Sequence, residues 1–384
     1  MHYLTASRIF DGEKFHSHTA LALAEDRVSA LLPSSEVPAG ASVTVLEGTL
    51  APGFIDVQVN GGGGALFNNC PNQATIEQMA RGHRSAGSTA IMPTIISDTH
   101  EVHRAAVKAV IDAQAAGCAG ILGIHIEGPF FDLAKRGTHN ADMIRPMSDG
   151  DIDWLSSLDA LKVMLTLAPE HTKSGQIETL ANAGIAVCAG HTTASYEQVQ
   201  AALGEGLRGF THLFNAMSPL TARAPGTVGA ALESDSSWVG IIADGHHVHP
   251  AAIRIAQRSL PAGKLMLVSD SMSTVGSDET SFSLYGERIE VKDGKLVNAE
   301  GALAGSAIGL NDAVRYCRDV VGIPESECLR MASLYPAQFL GMQDQLGSLR
   351  SEARADLVHF DEQLNVFDTW VAGQHLSHSN GFKQ

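Results

Sequence analysis

The chain has 384 residues, of which 44% are hydrophobic and 18% charged, and it carries a formal net charge of −16 at pH 7. That composition can fill a sizeable core and excludes a disordered or low-complexity chain, while the acidic balance argues against nucleic acid, whose phosphates demand a basic surface. No apolar run approaches the roughly 18 residues of a membrane span, and the amino terminus lacks a basic segment followed by an apolar one, so a cytoplasmic protein with no membrane partner is expected. The five cysteines, at 70, 118, 188, 317 and 328, are odd in number and contain no Cys-x-x-Cys pair. Neither a disulfide framework nor a thiolate zinc site is therefore expected.

Residues 1–50 alternate apolar and polar positions between turn signals at Asp11-Gly12 and Pro38-Ala-Gly40, which predicts short antiparallel strands. About 50 residues is near the lower limit for an independent core. The strand-like tail from Leu346 is therefore expected to complete one small β-sandwich with them, giving residues 1–50 and 346–384 as its two parts and 51–345 as a separate α/β unit. In that central part, strand and helix signals alternate. A first strand, Gly53-Phe-Ile-Asp-Val-Gln58-Val-Asn60, precedes a helix over 76–86. A second strand over 88–96 precedes a helix over 101–116, and a third, over 121–129, ends in His125-Ile-Glu127-Gly-Pro. A long loop over 130–149 follows. Strand four falls at 163–169, and strands five and six end at His191 and His212 with a helix over 194–203 between them. Strand seven is read as 238–247 and strand eight as 264–270. A β-rich insertion over 281–297 and closing helices over 306–340 complete a (β/α)8 TIM barrel.

In such a barrel the carboxyl ends of the strands carry the chemistry. Four of those ends here present Glu127, His191, His212 and Asp270. One carboxylate and two neutral imidazoles suit a single divalent ion, zinc first, with iron, cobalt or manganese as alternatives. Such an ion lowers the pKa of water from about 16 towards 7. Asp270 is then placed to carry a proton from water to a leaving group. Cys188 points away from the His191 face and gets no chemical role. His125 shares a strand face with Glu127 but lies two residues deeper, about 6.6 Å down the strand, which suggests a buried supporting part. Gln58 and Asn60 stand on strand one where two histidines would add a second metal, and strand four offers no inward lysine to bridge a metal pair, so one ion is expected.

The segments Pro52-Gly-Phe-Ile-Asp-Val-Gln58, His125-Ile-Glu127-Gly-Pro, Gly-Thr138-His139-Asn, Ala-Gly-His191, Thr-His212-Leu-Phe-Asn215-Ala216-Met, Asp244-Gly-His-His247 and Val-Ser-Asp270 together resemble the N-acetylglucosamine-6-phosphate deacetylase family of the amidohydrolase superfamily, over essentially the whole chain. The resemblance implies hydrolysis of a phosphorylated amino sugar's acetamide. It implies Glu127, His191 and His212 as metal ligands, Asp270 as the acid/base and His139 as the group facing the amide carbonyl. It further implies sugar-phosphate contacts from Thr138, His139, Asn215, Ala216, His247 and the loop Leu303, Ala304, Gly305. Arg223, on composition alone a solvated loop charge, would reach the phosphate in a neighbouring subunit, so a homodimer is implied. Two rival readings are a cyclic-amide hydrolase or deaminase on the same barrel, and a non-catalytic scaffold. The first is opposed by the missing histidine pair, the second by the presence of every ligand and of Asp270. Gln58, His125, His246, Glu170 and His171 receive no chemical role from sequence.

Overall fold

Eight short apolar runs form a parallel sheet that nearly closes on itself in the computed structural model, which describes residues 1–378. The barrel strands are β1 (Phe54–Val59), β2 (Ser88–Ile96), β3 (Ile124–Glu127), β4 (Val163–Leu167), β5 (Ala186–Ala189), β6 (Gly209–Phe210), β7 (Trp238–Ile242) and β8 (Leu265–Val268). Each pairs in parallel with its neighbours in chain order. These runs are apolar almost throughout because parallel strands under helices are covered on both faces. The seam between β8 and β1 is made just beyond the strand ends, where Asp270 N–H donates to the Gln58 carbonyl at 3.0 Å and Asn60 N–H to the Ser271 carbonyl at 2.9 Å.

Most of the helices between strands start on short polar caps. Asn72 accepts from Thr75 N–H, Thr99 from Val102 N–H, and Ser148 and Ser195 open capping boxes. Each such cap contributes about 1 kcal/mol. It also fixes where the preceding loop ends, so the strand carboxyl ends and the loops that follow them gather on one face.

Strand seven is shorter than the sequence suggests, ending at Ile242 rather than 247. The cause is Asp244, whose Oδ1 accepts from the N–H groups of both His246 and His247 at 2.8 Å, with Gly245 at φ 80°. That turn competes with the ladder and curls the segment over the barrel mouth.

The two ends of the chain combine as expected. A four-stranded sheet runs Arg27–Pro33, Thr19–Ala24, His2–Thr5, Val43–Val45, and a six-stranded one runs Gln374–Ser377, Val366–Val371, Leu357–Phe360, Thr49–Pro52, Arg8–Phe10, Phe15–His16. Thr49–Pro52 lies antiparallel to Leu357–Phe360, so strands from both ends share one sheet. Leu4, Leu21 and Val28 of the first sheet meet Ile9, Leu50 and Trp370 of the second in a single apolar cluster. The last expected residues, 379–384, lie outside the described ones. The insertion forms an antiparallel sheet of Ser281–Leu284, Glu287–Lys292 and Lys295–Val297. Its Leu284, Ile289 and Leu296 pack on Leu66, Ile96 and Met272, which seats it beside the mouth.

Beneath the mouth, Asp56 Oδ1 accepts from the N–H groups of Gln58 and Ser269 at 3.2 Å each, linking β1 to β8. Burial pushes its carboxyl up to about 7. Because the folded chain holds this proton more tightly than the unfolded one, the group's contribution to stability is full below about pH 4 and is lost as pH rises through about 7. Asp56→Asn keeps the acceptor without the charge. Thermal melts should show the variant gaining on the parent at pH 8 and matching it near pH 4; equal differences at both pH values would contradict the assignment.

Candidate active site

Glu127 is the last residue of β3, while His191, His212 and Asp270 each stand two residues beyond the ends of β5, β6 and β8. All three of the latter take left-handed backbone, with φ of 50°, 37° and 51°. This conformation costs L-residues roughly 1–2 kcal/mol and turns each side chain inward over the barrel axis instead of along the strand.

The donors converge closely. His191 Nε2 and His212 Nε2 lie 3.3 and 3.1 Å from Glu127 Oε1 and 3.1 Å from each other. Ligands about 2.0–2.1 Å from one tetrahedral ion stand about 3.3 Å apart, so the triangle fits such an ion. His191 Nδ1 faces the Lys135 carbonyl at 2.8 Å and must donate to it, which leaves Nε2 a lone pair, the arrangement a ligating imidazole needs. Phe131 stacks on that ring at 4.3 Å. Burial works against ionisation of Glu127, yet the His191 and His212 nitrogens at its oxygen hold the carboxyl well below the usual range. Burial also disfavours charge on His212, but Glu127 outweighs it and raises that imidazole. The site thus calls for positive charge beside Glu127. His139 also brings a ring nitrogen within 4.8 Å of the Glu127 and His191 donors, a wider grouping than the triangle with His212.

His125 stays out of this set. Its ring is fully buried between Thr166 Oγ1 at 2.7 Å and Thr94 Oγ1 at 3.3 Å, and burial pushes it down to about 4. It is a neutral strut below the Glu127, His191 and His212 triangle.

His139 has its tautomer fixed by the backbone. Ser97 N–H, which can only donate, points at His139 Nδ1 at 3.3 Å, and Ser97 Oγ lies 2.8 Å from the same nitrogen. Burial and the neighbouring His191 lower this imidazole well below its ordinary value, so it is neutral at pH 7 with its proton on Nε2. Asp270 is raised to about 6, by burial and then by the Glu127 charge.

A cavity of about 180 Å³ joins these groups, lined also by Thr138, Asn215, Ala216, His247, Leu303 and Gly305. His247 is held by Asp244 Oδ2 at 2.6 Å from its Nδ1. Two expected residues stand apart from the lining. Ala304 is buried in the small core under the insertion, and Arg223 is exposed on the turn before helix Gly226–Glu233. Glu170 and His171, unassigned from sequence, brace the His191 loop. Glu170 accepts from Thr193 N–H at 2.6 Å and Thr192 Oγ1 at 2.5 Å, and His171 meets Asp132, whose N–H donates to the His191 carbonyl. Sequence reasoning missed the work of Gln58 and Asn60, reading them as poor ligands; both donate to the site carboxylates. Their period-two spacing at the carboxyl end of β1 and just beyond it was the available signal. Nothing in the sequence pointed to Ser97.

A TIM barrel with a carboxylate and two imidazoles converging at its strand ends, next to a raised aspartate, defines a hydrolase barrel of the metal-binding kind. The chain belongs to the amidohydrolase family, which matches residues 49–376. Its relatives narrow the class to amino-sugar phosphate deacetylases. An N-acetylgalactosamine-6-phosphate deacetylase of Shewanella sp. (strain ANA-3) is 42% identical over 86% of this chain and 83% of its own length. An N-acetylglucosamine-6-phosphate deacetylase of Haemophilus influenzae is 34% identical over 90% and 92%. Among solved structures, N-acetylglucosamine-6-phosphate deacetylase from Pasteurella multocida superposes with a TM-score of 0.95 at 34% identity, covering 98% of this chain and 100% of that one. A mutant of the Mycobacterium smegmatis enzyme in complex with N-acetyl-D-glucosamine-6-phosphate gives 0.89 at 31%, covering 97% and 98%.

The His139 tautomer can be read directly. In protein labelled with 15N-histidine, with the resonance assigned by His139→Gln, Nε2 should appear protonated and Nδ1 bare at pH 7. The reverse pattern would contradict the tautomer set by Ser97.

Proposed function

We propose that the chain hydrolyses the acetamide of N-acetylglucosamine 6-phosphate to glucosamine 6-phosphate and acetate. The observation that carries this reading is the Glu127, His191 and His212 triangle with Asp270 and a donor-facing His139 in one cavity. Glu127, His191 and His212 would hold one divalent ion, zinc by preference with iron, cobalt or manganese possible, which supplies Lewis-acid activation of water at neutral pH. Asp270 takes the proton that the attacking water gives up and passes it to the amide nitrogen as the C–N bond breaks. Lifted to about 6, it is mostly ionised at pH 7 yet its conjugate acid can still donate. His139 Nε2–H donates to the carbonyl oxygen as negative charge builds there.

The sugar and phosphate contacts are assigned to Thr138, Asn215, Ala216, His247 and the loop Leu303, Ala304, Gly305. Arg223, exposed and without a carboxylate partner among the described residues, is assigned to the phosphate in a neighbouring subunit's site, which requires a homodimer. A guanidinium supplies bidentate phosphate binding that a chain with net charge −16 offers nowhere by long-range attraction. In this reading 51–345 is the catalytic unit, 1–50 and 346–384 support it, and the enzyme works in the cytoplasm. No helix among the described residues is long and apolar enough to cross a membrane.

The similarity to an N-acetylgalactosamine-6-phosphate deacetylase favours a second reading, in which the 4-epimer is the better substrate. Acetate release from both sugar phosphates, measured before and after chelation and with Zn²⁺ restored, should track about one metal per chain, and the ratio of kcat/KM values decides between the epimers. Asp270→Asn should keep its metal and lose about 10²- to 10⁴-fold in kcat; near-parental turnover would remove Asp270 from the reaction.

Arg223→Ala should raise KM for the phosphorylated sugar about tenfold or more and leave the unphosphorylated sugar little changed. An equal effect on both would overturn the phosphate assignment.

A further inference from the structure

We infer that Asn60, with Gln58 behind it, is a positioning residue that holds the Asp270 carboxylate in its proton-carrying orientation. The inference rests on Asp270 acting as proton carrier. Asn60 Nδ2 donates to Asp270 Oδ1 at 2.7 Å, and Gln58 Nε2 donates to the same oxygen at 3.2 Å. Gln58 also reaches both Glu127 oxygens at 3.1 Å, so one amide ties the ligand carboxylate to the carrier carboxylate. Both side chains are buried, and their carbonyl ends, Gln58 Oε1 and Asn60 Oδ1, have no partner among the described residues. The orientation is dictated by charge, since turning either amide over would set a carbonyl oxygen against a carboxylate.

Everything that fixes Asp270 acts on one side. Its backbone is locked by N–H donation to the Gln58 carbonyl and by acceptance from Ser306 N–H, and Oδ1 is held by the two amides. No protein hydrogen bond is made to Oδ2 among the described residues, so that oxygen is left to take and return the proton. An aspartate with two free oxygens would rotate about χ2, a broad torsion. The proton would then leave the line between water and the leaving nitrogen, and misplacement on the scale of 1 Å costs about 10²-fold. The two amides therefore make one carboxylate oxygen structural and the other chemical.

The experiment compares Asn60→Ala and the isosteric Asn60→Asp with the parent and with Asp270→Asn, measuring kcat, KM, bound metal and the crystallographic position of Asp270. Asn60→Ala should keep KM and metal content within about twofold and lose roughly 10- to 100-fold in kcat, with Asp270 adopting more than one rotamer, and Asn60→Asp, which sets a second carboxylate against Asp270 Oδ1, should lose at least as much kcat with KM within about twofold. The isosteric variant guards against a packing defect in the truncated one. Unchanged kcat, or a loss confined to KM or to metal content, would overturn the positioning role. Should Asp270→Asn itself turn over normally, the assignment of Asp270 fails first, and the result is recognisable because Asn60 variants are then also active.

Discussion

The structure depends on keeping Glu127 Oε1, His191 Nε2 and His212 Nε2 within about 3.3 Å of one another in a buried place. Three electron-rich atoms at that spacing repel unless positive charge lies among them, and low polarity strengthens the repulsion. No single strand could impose it. The barrel does so by curving β3, β5 and β6 around one axis, with β4 between the first two, and two of the three side chains are then held from outside. Lys135 and Phe131 hold His191, Gln58 holds Glu127, and the buried His125 between its threonines fills the space beneath. Folding energy stored in a large core is thus spent locally on an arrangement that favours binding a cation.

Backbone strain is distributed the same way. Left-handed backbone at His191, His212 and Asp270 would be unfavourable for each residue in isolation. Each lies at the first turn past a strand whose ladder bonds are already made, so neighbouring structure over-determines the turn. Phe214 and Ala216 continue the pattern with φ of 77° and 50°, curling the segment after β6 over the mouth. Glu127 alone keeps ordinary strand geometry, because its longer side chain reaches the centre without such a turn.

The barrel was legible because its strands are buried on both faces and read as short apolar runs at regular spacing, and the strand ends bearing Glu127, His191, His212 and Asp270 could be picked out by position alone. The β-rich insertion over 281–297 was visible in its alternation and its turns. What the sequence hid was anything decided by direction or by a single backbone group. Ser97 acts through its N–H, which no residue type advertises. Gln58 and Asn60 are weak ligands but good donors, and only the positions of Glu127 and Asp270 reveal which property is used. The early end of strand seven escaped because Ala-Asp-Gly-His reads as a continuation until the Asp244 side chain is seen capturing two N–H groups.

The pairing of Thr49–Pro52 with Leu357–Phe360 joins segments about 300 residues apart in the chain. A ribosome adding about 5–20 residues per second needs tens of seconds to supply the second strand after the first. Throughout that interval Thr49–Pro52 lacks its antiparallel partner, and apolar side chains such as Leu50 lack the cover that Leu357 and Trp370 give them in the folded chain. The barrel, beginning at Phe54, can assemble its strands in the order they emerge, since each pairs with its predecessor. Birth order therefore runs from barrel to sandwich, and the small sandwich is the last part of the molecule to close.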